Sequence, residues 1–310
     1  MRRSRYSPLA LLLPAACLTV DPFFFDNREA SEYRWDDDPC DPQLEGELAE
    51  VEHRRNGGPP PSCHPSLVHP EDREEGFAPL PDGRRIHYVF AHRPGADTTV
   101  LFSHGTTWHL GRYWDRAELL WGMGYHVLIY DYPGYGRSEG EPDEAGVFAA
   151  AHTVLEDVLP QMPGVDLDRV VLMGYSLGGA PTYELALQAS EGQLSVTPRA
   201  VISESTFCDA TTFAHDVTRL DLPGQFLGEA TWDNCGKIAR LRPELPVLIL
   251  HGSRDDFIVP VHADKLRDAA TGDDVTLRWV EGSDHGELPV VGGQTYRQWI
   301  REFIDEHVLP

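Results

Sequence analysis

Short apolar runs, many of them β-branched, alternate with segments of helical period along most of this chain, starting near Phe77. Seven runs read as strands, over 85–91, 99–103, 126–130, 170–174, 200–203, 247–250 and 275–280. Between them, apolar residues spaced three and four apart predict helices over 113–121, 145–158, 181–190, 261–270 and 296–307. Strands that read as continuous apolar runs are covered on both faces, and their alternation with helices predicts an α/β fold with a mainly parallel central sheet. The alternation lapses from Glu204 to Pro246, between the strand ending near Ser203 and the one starting near Val247. An insertion at that point lies over the carboxyl ends of the strands, so residues 204–246 are expected to form a small cap.

Residues 17–76 carry no such pattern. The stretch is acidic and punctuated by proline, with Asp36-Asp37-Asp38 and Gly57-Gly58-Pro59-Pro60-Pro61. Such composition buries too little apolar surface to offset its ordering entropy, and a largely irregular segment is expected. The acidic triplet reads as a solvated tether, because no calcium-loop spacing follows it. Phe23-Phe24-Phe25 is the exception, since three adjacent aromatic rings must pack either on the folded body or near a membrane.

Ahead of this stretch, Arg2, Arg3 and Arg5 precede a short apolar run and then Pro14-Ala15-Ala16-Cys17. A basic start, a short apolar core and small residues before a cleavage point describe an export signal over residues 1–16. Cys17 after two alanines resembles the lipobox of bacterial lipoproteins, although that motif prefers a larger aliphatic residue where Pro14 stands. An exported protein is expected, attached to the cell envelope through a lipidated Cys17 or secreted. The other four cysteines allow three pairings in an oxidising compartment. Local pairing, Cys40 with Cys63 and Cys208 with Cys235, closes the shortest loops.

Composition narrows the function. The 310 residues are 41% hydrophobic and 25% charged, ordinary for a soluble globule. Fifty Asp and Glu against 26 Lys and Arg give a formal charge of −24. A chain so acidic offers no broad basic face to a phosphate backbone, which argues against nucleic acid as a partner.

The chemistry begins where the strand Val170-Val171-Leu172-Met173 runs into Gly174-Tyr175-Ser176-Leu177-Gly178-Gly179 and a helical pattern follows. This is G-x-S-x-G in a strand–turn–helix context, where glycines let strand and helix approach and leave Ser176 exposed at a helix start. Serine is inert at its own pKa and needs a base held by a third group. Downstream, the strand ending in His251-Gly252-Ser253-Arg254-Asp255 presents an aspartate, and the loop Gly282-Ser283-Asp284-His285 presents a histidine. Asp256 and Asp284 are the neighbouring rivals for the acid, while His104 and His251 read as strand-end residues. Glu204, directly after a strand, is a candidate support for the triad.

Four blocks together resemble the α/β-hydrolase superfamily over residues 77–310. They are Leu101-Phe102-Ser103-His104-Gly105, the turn from Asp131 to Ser138, the Gly174–Gly179 elbow, and the His251–Asp255 loop with Ile258-Val259-Pro260. The nearest resemblance is to small-cap abhydrolase-domain lipases and protein depalmitoylases. It implies Ser176 as nucleophile, Asp255 as orienting acid, His285 as general base, and an oxyanion hole from the N–H groups of Thr106 and Leu177. No metal and no organic cofactor are implied. The expected activity is hydrolysis of a carboxylic ester or thioester, of a small molecule or a lipid; a peptidase or amidase on the same scaffold, or a non-catalytic binding protein that retains the fold, is the alternative. Trp108, Phe207, Phe213 and Trp232 are the expected substrate contacts, the last three from the cap.

Overall fold

The computed structural model describes residues 24–33, 51, 66–218 and 232–309. Its centre is an eight-stranded sheet. The strands are β2 (Arg73–Pro79), β3 (Arg85–Ala91), β4 (Thr99–Ser103), β6 (His126–Tyr130), β7 (Val170–Tyr175), β8 (Ala200–Glu204), β9 (Val247–Gly252) and β10 (Val275–Val280). Two short strands, β1 (Asp26–Asn27) and β5 (Thr107–Trp108), pair separately. The spatial order is β10-β9-β8-β7-β4-β6-β3-β2. Neighbours are parallel except at β3, which runs antiparallel to both β6 and β2.

Burial explains the order. Every residue of β4, β6, β7, β8 and β9 is buried, as in strands covered on both faces. Alternate side chains feed two cores. On one face Leu101, Leu128, Leu172, Val201 and Ile249 pack with Val147 and Ala151 of α2 (Glu144–Thr153) and with Tyr183 and Leu187 of α3 (Gly179–Ser190). On the other, Val100, Phe102, Ile129 and Met173 pack with Leu120 of α1 (Trp114–Gly122) and with Ile300 and Ile304 of α7 (Leu288–His307).

The cap contributes α4 (Ala210–Thr218) and α5 (Asn234–Ile238), whose N-terminal ends are joined by a Cys208–Cys235 disulfide with Cα atoms 4.9 Å apart. A further helix, α6 (Val261–Ala269), follows β9. The cap residues 219–231, together with Cys17, Cys40 and Cys63, lie outside the described residues.

Two pieces of the acidic segment belong to the folded body. The sheet starts at Arg73, ahead of the compositional boundary at residue 77, because Arg73–Pro79 pairs along its whole length with β3. Residues 24–33 lie across the loops after β4 and β6, with Phe24 and Tyr33 buried.

Candidate active site

The parallel strands all end on one side of the sheet, and the chemistry-bearing residues follow those ends. At the end of β7 the chain turns so sharply that Ser176 takes φ +54°, a left-handed conformation that costs a non-glycine residue about 1–3 kcal/mol. The local sequence makes that turn feasible. A Cβ on Gly174 would overlap the Gly178 carbonyl, one on Gly178 would overlap Ser103 O, and one on Gly179 would overlap Thr206 Oγ1. The Thr206 hydroxyl donates to Ser176 O at 2.5 Å and pins the elbow from β8.

Three side chains meet there. His285 Nε2 lies 3.0 Å from Ser176 Oγ, and His285 Nδ1 lies 2.8 Å from Asp255 Oδ2. An aspartate on Nδ1 fixes the tautomer, so Nδ1–H donates to it and Nε2 is left to accept from the serine hydroxyl. Asp255 is fully buried, and its Oδ1 accepts from the N–H groups of Phe257 at 3.1 Å and Ile258 at 2.8 Å. Its rivals are placed elsewhere: Asp256 is exposed, and Asp284 Oδ1 accepts from the N–H groups of Asp256 and His285.

The other strand-end histidines hold turns. His251 Nε2 donates to Ile258 O at 2.7 Å, and burial lowers its pKa. His104 Nδ1 donates to Gly105 O at 2.7 Å, while its Nε2 is 3.4 Å from Asp131 Oδ1. Burial alone would raise the pKa of Asp131, but hydrogen bonds and charge from His104, with His109 and Tyr33, hold it below the usual carboxylate value.

Thr106 and Leu177 both line a cleft beside Ser176, together with Phe24, Phe207, Phe213, Phe257 and Ile258. Two expected contacts are corrected. Trp108 is not on the cleft: it pairs with Asn27 in the β1–β5 ribbon, and its ring is covered by the Arg28 guanidinium at 3.9 Å. Trp232 is not there either, because it is fully buried behind Phe24 and stacks on that ring at 5.6 Å. Sequence reasoning missed Phe24, Phe257 and Ile258 as lining residues. Only the aromatic triplet at 23–25 signalled the first of them.

Comparison with known proteins agrees with this architecture. A family model described as serine aminopeptidase, S33, matches residues 94–222. The uncharacterized protein Rv2307c of Mycobacterium tuberculosis is 30% identical over 254 residues, covering 81% of this chain and 85% of that protein. Human alpha/beta hydrolase domain-containing protein 17B is 28% identical over 232 residues, 73% of each chain. Among solved structures, the Pyrococcus furiosus esterase Pf2001 superposes with a TM-score of 0.64 at 17% identity, covering 78% of this chain and 95% of that one. The chain belongs to the α/β-hydrolase superfamily. Its kinship and fold are those of a hydrolytic enzyme.

Proposed function

We propose that this hydrolase is a serine esterase that cleaves carboxylic esters or thioesters through an acyl-serine intermediate. The observation that carries the reading is the continuous chain Ser176 Oγ–His285–Asp255, at 3.0 and 2.8 Å. In the first half-reaction Ser176 Oγ attacks the carbonyl carbon while His285 Nε2 takes its proton. The carbonyl π-electrons move to oxygen, and the N–H groups of Thr106 and Leu177 receive that oxyanion, each such donor being worth ~3 kcal/mol. The tetrahedral state collapses, the bond to the alcohol or thiol breaks, and His285 returns the proton to that leaving group. Water then repeats the sequence on the acyl-serine and releases the acid. Asp255 holds the imidazole in the required tautomer and stabilises the imidazolium that forms.

The lining of the cleft favours an ester over the aminopeptidase alternative. An aminopeptidase must receive a cationic substrate amine, which in a desolvated site needs an anionic partner. Among the described residues the lining beside Ser176 is six apolar side chains, one threonine and no carboxylate. The net charge of −24 separately disfavours an anionic substrate.

Export and lipid attachment at Cys17 belong to the same proposal. Phe24 is seven Cα steps from Cys17 (24 − 17 = 7), a reach of at most ~25 Å. Such a tether holds the hydrolase close to the membrane surface. Replacing Cys17 with alanine should move the protein from the membrane to the soluble fraction, and an unchanged distribution would remove the anchor from the reading.

The activity is tested by fluorophosphonate labelling and p-nitrophenyl ester hydrolysis on wild type and Ser176→Ala. Wild type should label once, at Ser176, and turn over; the variant should lose roughly 10⁴- to 10⁶-fold in kcat with its melt nearly unchanged. Turnover retained in the variant would sink the assignment.

A further inference from the structure

Phe24 comes from outside the region matched by the hydrolase family model, yet its side chain lies in the cleft beside Ser176. It is 3% exposed, with ring centroids 5.6 Å from Phe207, 5.3 Å from Phe213 and 5.6 Å from Trp232. Its carbonyl accepts a hydrogen bond from Thr106 Oγ1 at the mouth of the expected oxyanion hole. The described lining leaves about 10 Å³ of free space, room for roughly one water. That is below the roughly 300–1,000 Å³ of ordinary small-molecule sites.

A ring in such a place is either a plug that leaves or a wall that stays, and the attachments of residues 24–33 decide for a wall. Asp26–Asn27 pairs in parallel with Thr107–Trp108, and Arg28 N–H donates to Trp108 O at 3.0 Å. Ala30 N–H donates to Gly136 O and Gly136 N–H to Arg28 O, both at 2.8 Å, while the Asn27 amide donates to Gly134 O at 2.7 Å. At the far end the buried Tyr33 hydroxyl donates to Asp131 Oδ2 and accepts from Arg137 N–H at 3.0 Å. The receiving loop is shaped to the segment: Gly136 sits at φ +51°, and a Cβ there would overlap both Tyr33 Oη and Asp131 Oδ2. Displacing Phe24 would strand these backbone groups and the buried Tyr33–Asp131 pair.

We propose that Phe24 is a specificity-determining residue that closes the acyl end of the cleft and restricts this enzyme to esters of short acyl chains. The proposal rests on the serine-esterase reading and names its substrate class. Each methylene that a pocket can bury is worth about fourfold in kcat/KM. A pocket that ends at an aromatic ring forfeits that gain for every carbon beyond it.

The test compares the full-length wild type with Phe24→Ala and Phe24→Leu on p-nitrophenyl acetate, butyrate, octanoate and decanoate, with fluorophosphonate labelling of Ser176 in parallel. Wild type should prefer acetate or butyrate. In Phe24→Ala the octanoate-to-butyrate ratio of kcat/KM should rise by at least about 10-fold, with a smaller rise in Phe24→Leu. The leucine variant keeps apolar packing and stands in if the alanine variant does not fold, as its melt and labelling will show. A wild type that already prefers octanoate overturns the proposal, as does an unchanged ratio in a folded variant. Activity rising by one common factor on all four esters also overturns it, because Phe24 is then a plug. Wild type that neither labels nor turns over any ester sinks the esterase reading itself, and the proposal with it.

Discussion

Arg116 and Glu204 form a 2.7 Å ion pair in which neither side chain is more than 3% exposed. The pair touches residues that flank two members of the candidate triad. Arg116 also donates to the carbonyl of Gly286, next to His285, at 3.2 Å, and its guanidinium lies 3.8 Å over the ring of Tyr175, next to Ser176. On the other side the Tyr296 hydroxyl donates to Glu204 Oε2 at 2.6 Å. Burial and the Glu204 charge raise the Tyr296 pKa well above its ordinary value, so it remains a donor. One buried network therefore ties the nucleophile strand to the histidine loop.

Arg116→Met leaves the Glu204 charge buried without its partner, which costs about 3–5 kcal/mol. The melting temperature should fall by on the order of 10 °C, and kcat should fall with it as the His285 loop loosens. Adding Glu204→Leu removes the stranded charge and should recover most of the melt. It should not recover kcat, because nothing then holds the Gly286 carbonyl. Calorimetry and ester kinetics on the three variants check this, and equal recovery of both would reduce the network to a purely stabilising role.

Asp255→Asn should lower kcat by about 10³- to 10⁴-fold, because an amide no longer selects the Nδ1–H tautomer of His285. Asp256→Asn should change kcat by less than about twofold, since that carboxylate is exposed and away from the imidazole. Paired kinetics on the two variants decide the acid, and the reverse ranking would move it by one residue.

Gly178→Ala and Gly192→Ala separate steric overlap from backbone strain. At Gly178 an added Cβ would run into the Ser103 and His104 carbonyls, so the elbow cannot persist, and both solubility and fluorophosphonate labelling should be lost. At Gly192 nothing lies within 4 Å and only the φ of +70° opposes a side chain. That substitution should cost roughly 1–2 kcal/mol and leave labelling intact. A soluble, labelled Gly178→Ala protein would contradict the close approach of strand and helix.

The inner strands were legible because burial on both faces leaves an unbroken apolar run: β4 and β6 fall on the residues the pattern marks. The edge strand Arg73–Pro79 was not, since only Ala78 in it is buried and the rest reads as more of the acidic segment. Ser176, Asp255 and His285 could be found because each stands in a short local motif at a strand end. The aromatic triplet marked Phe24 only as a ring that must pack, and Tyr33 carried no signal: their partners lie far along the chain, Tyr33 reaching Asp131 across 98 residues, and no local pattern records such a contact. The same holds for Arg116, whose link to Glu204 spans 88 residues.

His262 gives the fold an acid sensitivity whose sign is fixed by burial. Its Nδ1 accepts from Cys208 N–H at 3.0 Å, and its Nε2 faces Asp216 Oδ2 at 3.3 Å. Burial lowers its pKa from 6.5 to about 4, against the pull of Asp216 and Asp209 and with the push of Lys265 and His251. Between those values the unfolded chain binds a proton that the native state refuses. Stability is therefore full above pH 6.5 and is lost as pH falls toward 4, by about 3 kcal/mol for this residue. His109, also lowered to about 4 by burial, acts in the same direction. Melting temperatures from pH 7 to pH 4.5 should fall steeply in wild type and less steeply in His262→Gln. Equal slopes would show that the histidine is not the group responsible.

The Cys208–Cys235 disulfide closes a loop with a sequence separation of 27 beside cap residues that reach the cleft. Next to one cysteine stands Phe207, which lines the cleft, and close to the other stands Trp232, which backs Phe24. Loop-closure entropy for that length gives about 3.5 kcal/mol of stabilisation. Cys208→Ser/Cys235→Ser should lower the melting temperature by on the order of 10 °C. Its effect on catalysis should be selective. With the disulfide open, Phe207 and Trp232 no longer hold the Phe24 ring, so discrimination between butyrate and octanoate should weaken while labelling of Ser176 persists. Reduction of the wild-type protein with dithiothreitol should reproduce both effects. A reduced protein with the oxidised melt and an unchanged chain-length profile would show that the cap is held by its packing alone.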